Sequence, residues 1–149
     1  MSKAKQILPI PFRIGSIETK QYALVQEQVD EITMEYKADF VFGIDPDKQL
    51  INCQFKYELV SGNTAAIILE VSLDFILPIK IYHERIFNGQ DYIIPKEFAI
   101  HQAMVTVGTA RGILHEKTNG HLLNRFPIPV IDVQSAINEE IHFVLSTNK

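Results

Sequence analysis

The sequence predicts an α+β fold in which an antiparallel sheet carries a long and a short helix on one face. Three features point there. Consecutive segments between residues 32 and 77 alternate apolar and polar side chains with a period of two, as half-buried strands do. Turn-forming clusters, Asp45-Pro46-Asp47-Lys48 and Ser61-Gly62-Asn63, separate them. The one long segment of helical spacing comes only afterwards. No repeat or linker interrupts the 149 residues, so a single domain, 1–149, is expected. A domain of that length removes roughly 70% of its unfolded-chain surface from water.

Phe12 to Val25 is rich in β-branched and aromatic residues and reads as a first strand, although its local pattern leaves its neighbours in the sheet open. Ile32, Met34, Tyr36, Ala38, Phe40, Phe42 and Ile44 alternate with Thr33, Glu35, Lys37 and Asp39 and form the clearest strand. After the turn at Asp45, Ile51, Cys53, Phe55, Tyr57 and Leu59 repeat the pattern, and Ala65 to Leu77 repeat it again. Three long strands on short turns make a meander with one face on a core. Pro78 to Pro95 is irregular and reads as a long connection. Pro95 opens a helix over about Lys96–Lys117, with Glu97 near its positive end and Asn119-Gly120 as its stop. Gly108 and Gly112 interrupt that helix at about 1 kcal/mol each, which predicts close packing against its backbone there. The prolines of Phe126-Pro127-Ile128-Pro129-Val130-Ile131-Asp132 force an extended crossover, and Asp132 is placed to cap a short helix through Val133, Ala136 and Ile137. Ile141 to Leu145 continues apolar.

Composition narrows the function. The 14 Lys+Arg against 18 Asp+Glu give a net charge of −4, without the basic excess that binding a phosphate backbone requires. Nucleic acid is therefore not an expected partner. Pro9 and Pro11 break up Ile7, Leu8 and Ile10 before an apolar export core can form, and no apolar run approaches the roughly 18 residues of a membrane span. Cys53 stands alone, which excludes an intrachain disulfide framework. A soluble protein of the reducing cytoplasm is expected, without membrane insertion.

The joint order of three stretches resembles the SecB family of bacterial export chaperones. Lys48 to Leu59 with Ala65 to Ile79 is similar to that family's central hairpin, including the acid at Glu70; Ala103 to Gly112, ending Thr-Ala-Arg-Gly, is similar to its long helix; and Phe126 to Asp132 is similar to its proline-containing loop. The resemblance spans about Phe12 to Ile137. It implies a four-stranded antiparallel sheet with both helices on one side, a homo-oligomer built as a dimer of dimers, unfolded polypeptide clients held in apolar grooves, and a translocation ATPase docked on acids of the open sheet face. The chain departs from the pattern in its long 78–95 connection and in having Gln21 and Val25 where docking acids are expected. A branch of the family serves antitoxins or other single clients, and a dedicated interaction protein of that kind is the alternative.

No catalytic constellation is legible. His83, His101, His115, His121 and His142 lack paired metal-ligand spacing, so neither a metal site nor a cofactor is expected. Cys53 lies on the apolar register of its strand, and Gly108-Thr-Ala-Arg-Gly112 lies inside a helix, away from the free amides a phosphate needs. The chain is expected not to be an enzyme. Its surplus is apolar: Phe75, Leu77, Tyr82, Phe87, Phe126, Ile128, Val130 and Ile131 are the expected lining of a peptide groove, with capping of the sheet core as the competing role. Ile68, Glu70 and Asp74, in a wider acidic set with Glu35, Asp39 and Glu58, are the expected docking face for a translocase, or an ordinary solvated surface. A small-ligand carrier using the space between sheet and helices is a third reading.

Overall fold

The computed structural model describes residues 9–144; the expectations placed on Ile7, Leu8 and Leu145 lie outside the described residues. Four strands, β1 (Arg13–Leu24), β2 (Met34–Asp45), β3 (Leu50–Ser61) and β4 (Thr64–Ile76), form one antiparallel sheet in the order β1-β4-β3-β2. The alternation fixes which face is covered. Ile51, Cys53, Phe55, Tyr57 and Leu59 of β3 and Ile67, Leu69, Val71, Leu73 and Phe75 of β4 are all buried, and β2 sets Tyr36, Ala38, Phe40, Phe42 and Ile44 beside them. The β3–β4 hairpin closes on a two-residue loop whose Gly62 adopts φ +65°, the left-handed geometry such a loop demands at its first position. At the β2–β3 turn the Asp45 carboxylate accepts the amides of Asp47 and Lys48 at 3.1 and 3.3 Å.

The long helix α1 (Lys96–Lys117) lies across the two central strands, β3 and β4, with Ala99, Ala103, Thr106, Val107, Ala110 and Leu114 against them. Its small contact residues let it sit close to the sheet. It ends where Thr118 turns its hydroxyl back to the Leu114 carbonyl at 2.8 Å and Gly120 takes φ +80°. A 3-10 turn (Leu122–Arg125) leads into the extended proline crossover, and α2 (Val133–Ala136) starts on Asp132, whose carboxylate accepts the Ser135 amide at 3.2 Å. The Arg111 guanidinium pins the crossover to the helix, donating to the carbonyls of Ile128 at 2.8 Å and Pro129 at 2.9 Å.

Two expectations are corrected. The 78–95 connection is not irregular throughout: it holds a helical turn (Ile79–Ile81), a π turn (Tyr82–Ile86) and a strand β5 (Tyr92–Ile94), which pairs with β6 (Ile141–Phe143) in a second, two-stranded sheet. Three-residue strands are too short to show a period. Nor, among the described residues, does anything pack on Gly108 or Gly112: both face solvent, and a Cβ at either would meet none of their atoms within 4 Å. These glycines belong to an outer helix face shared with Met104, which is 58% exposed. Among the described residues no helix is long and apolar enough to cross a membrane.

Candidate binding groove

The expected groove residues fall into two groups. Phe75, Leu77, Tyr82 and Ile128 are in the core, each at most 3% exposed, and of these only Leu77 reaches a depression, one of about 340 Å³ beside Phe12 and Ile76. Their hydrophobicity is consumed by the fold, because the 78–95 connection closes the end of the sheet with the rings of Tyr82, Phe87 and Tyr92, centred 4.9–5.9 Å apart in successive pairs. Burial, helped by Tyr92 and Asp45, pushes the Tyr82 phenol up to about 12. Phe87, Phe126 and Ile131 are half-buried, and Val130, at 93% exposed, stands alone beyond the Arg111 clamp.

Phe126 lines a depression of about 300 Å³ with Val29 and Leu122, and a larger concavity lies along the outer side of β2. Because α1 covers only the central strands, the helix-side face of β2 is left to the C-terminal segment, and the two enclose a groove of about 400 Å³ floored by Phe40, Phe42, Ile137 and Ile141. It runs into a shallower depression of about 490 Å³ at the start of α1, with which it shares Asn138, Glu139, Glu140 and His142. That depression shares Pro95 and Glu97 with a third, of about 350 Å³, walled by Pro9, Ile10, Phe98, His101 and Arg85. The three adjoin as a trough that is apolar-floored beside β2 but lined by acids and bases together at the start of α1, where Glu97, Glu139 and Glu140 stand among Lys96, Arg85 and His142, and His142 faces Glu140 at 2.9 Å. β2 borders it with an edge that pairs with no strand among the described residues, and its register with β3 is free of bulges, whereas β1 carries two irregularities against β4. One amide on β2, that of Phe40, is held by the Asp39 carboxylate at 2.9 Å.

Sequence reading missed Phe40, Phe42, Ile137 and Ile141 as groove residues. The first two were visible as strand residues, but that a helix stops short of their strand is not written in any local pattern.

Ile68, Glu70 and Asp74 share the sheet face turned away from the helices, as expected. That face is not uniformly acidic. Asp39, Lys56, Glu70 and Gln21 form one row across all four strands, and Lys37 stands opposite Glu58. Asp74 is engaged within the face, its two carboxylate oxygens accepting Ser16 Oγ and Asn52 Nδ2, each at 2.8 Å.

Chemically reactive groups are not brought together. Burial raises the Cys53 thiol to about 12, the facing Thr106 hydroxyl offsetting only part of this, so the thiolate nucleophile is suppressed. No cluster of three metal-ligating side chains occurs among the described residues. His115 and His121 serve the helix exit instead: Asn124 Nδ2 donates to the His115 carbonyl at 3.0 Å, and His121 Nδ1 accepts the Leu123 amide at 3.0 Å. No family model, no curated protein and no solved structure matches the chain.

Proposed function

We propose that the chain binds non-native polypeptide without chemical transformation, as a cytoplasmic holdase whose clients lie extended in the trough beside β2. The observation that carries this reading is the groove floored by Phe40, Phe42, Ile137 and Ile141 beside β2, whose outer edge pairs with no strand among the described residues. An open channel of this kind suits a chain segment better than a compact metabolite, because it buries alternate side chains while leaving the ends free. Its apolar floor tolerates many client sequences. The outer face of α1, with Met104 exposed and Gly108 and Gly112 unobstructed, supports assembly into a homo-oligomer through that helix.

One observation favours a dedicated chaperone for a single client over an export chaperone. The open sheet face alternates acids with Lys37 and Lys56, which weakens it as an acidic dock for a translocation ATPase.

The test is suppression of aggregation of a chemically unfolded client at stoichiometric ratio without nucleotide, with Ala38→Glu as the probe of the site. Ala38 is exposed and lines the groove, so the substitution puts a charge into the channel at little cost to the fold. Suppression by the parent and its loss in Ala38→Glu are expected. Equal suppression by both chains moves the client elsewhere, and failure of both to bind any unfolded client removes the holdase reading.

A further inference from the structure

β2 presents a regular edge. Its register with β3 carries no bulge, and from Glu35 to Asp39 five consecutive residues are exposed. The Phe40 amide, held by the Asp39 carboxylate, lies on the outer side. Backbone groups alternate sides along an antiparallel strand, so Tyr36, Ala38 and Phe42 direct theirs outward as well. The strand also has the same chemistry read from either end. About Ala38, Lys37 answers Asp39, Tyr36 answers Phe40 and Met34 answers Phe42.

We propose that a second copy of this chain pairs antiparallel with the β2 edge, Ala38 beside Ala38 on the two-fold axis, so that the two sheets run on as one. In that register Lys37 of each copy stands opposite Asp39 of the other, and Tyr36 opposite Phe40. Within one copy Lys37 lies across from Glu58 and Asp39 from Lys56, yet neither forms an ion pair among the described residues. Glu35 falls opposite Val41, so no like charges stand directly across the seam. On the helix side β2 contributes only uncharged residues; Glu139, Glu140 and His142 stand across the groove from them, with His142 on Glu140. Tyr36 already stacks on Tyr57 at 6.3 Å and Phe40 packs on Phe55 at 5.2 Å, so the pairing extends an aromatic row across the seam. A two-fold contact of this kind is closed, and neither β2 edge is left to recruit another chain.

The proposal does not rest on client binding. Position 38 serves both the groove and the axis, so pairing is read at 37 and 39, whose side chains lie on the open sheet face, and without client. The mass of the full chain is followed by sedimentation over a dilution series. Lys37→Glu and Asp39→Lys each set like charges opposite one another twice across the seam, and each alone is expected to raise the dissociation constant of the pairing about tenfold. An equal mixture of the two variants is expected to restore it, because each new charge then meets its opposite on the other chain. Glu58 and Lys56 within each chain are unchanged by mixing, so recovery reports the seam and not the fold. Ala38→Cys is expected to cross-link to its copy on mild oxidation, the two Cα atoms lying about 5.5 Å apart. Tyr36→Cys is not, since four residues of strand set it about 14 Å from its copy. Cys53 is buried and stays out of the reaction. A mass that neither substitution moves, no recovery on mixing, or equal cross-linking of both cysteine variants overturns the proposal.

Discussion

Gln102 sits on the buried side of α1, one turn from Phe98 and one from Thr106, at 0% exposure, and neither its Oε1 nor its Nε2 makes a hydrogen bond. A buried polar group left without a partner costs about 1–3 kcal/mol. Gln102→Met keeps the length and nearly the volume of the side chain while removing both polar atoms, so the packing against Phe98 survives and the desolvation penalty does not. A gain of about 1–3 kcal/mol is expected, and at this chain length each kcal/mol corresponds to about 2–4 °C in Tm. Urea titration and calorimetry of the two proteins measure it directly, with unchanged m-value as the check that both unfold the same way. Gln102→Glu serves as the opposite control, since burying a carboxylate there is strongly destabilising. If Gln102→Met lowers stability, the carboxamide is satisfied in solution, by a trapped water or by repacking, and the reasoning is wrong.

Further outcomes follow from the same geometry. Arg111→Lys is expected to cost about 1.5–3 kcal/mol, because one ammonium does not replace the two directed donors that hold the Ile128 and Pro129 carbonyls; amide exchange along the 122–131 segment rises if so, and equal protection in both proteins rejects the clamp. Stability is expected to fall as pH rises from about 9 toward 12: Cys53, Tyr57 and Tyr82 are all raised to about 12 by burial, so each favours the folded state below its unfolded pKa of 9.0 or 10.0 and loses that contribution as pH climbs through the folded value. A stability curve flat to pH 12 contradicts those shifts. At the acid end the sign reverses for Asp132, whose carboxylate is held low by Ser135; protonating it is expected to fray α2, read as loss of helical amide shifts at Val133–Ala136 that Asp132→Asn does not show.

How much of this was legible depends on the length of each pattern. The strands at 34–45, 50–61 and 64–76 and the helix at Lys96–Lys117 each contain enough residues for their period to stand out, and they lie where the alternation and the Pro95 and Gly120 signals put them. The cap at Asp132 was visible because one side chain decides it. β5 and β6 were not, since three residues carry no period and their pairing joins Tyr92 to Phe143 across the chain. The groove suffered a related failure. Hydrophobicity marked Phe75, Leu77, Tyr82 and Ile128 correctly as residues that must leave water, but a linear pattern does not distinguish burial under the chain's own connection from burial under a client.

The order β1-β4-β3-β2 also governs how the molecule comes together in time. Asp45 meets Leu50 and Ser61 meets Thr64 across tight turns, so the β2–β3–β4 meander closes through short loops. β1 has no such neighbour: Leu24 must find Ile67, and Arg13 must find Ile76. Loop-closure entropy therefore places β1 docking after the transition state, and Leu24→Ala is expected to speed unfolding while leaving refolding unchanged, in contrast to Leu69→Ala in β4, which slows refolding. Of the four strands of this sheet the one synthesised first is then the last to be paired, and until β4 has emerged β1 has no partner in it.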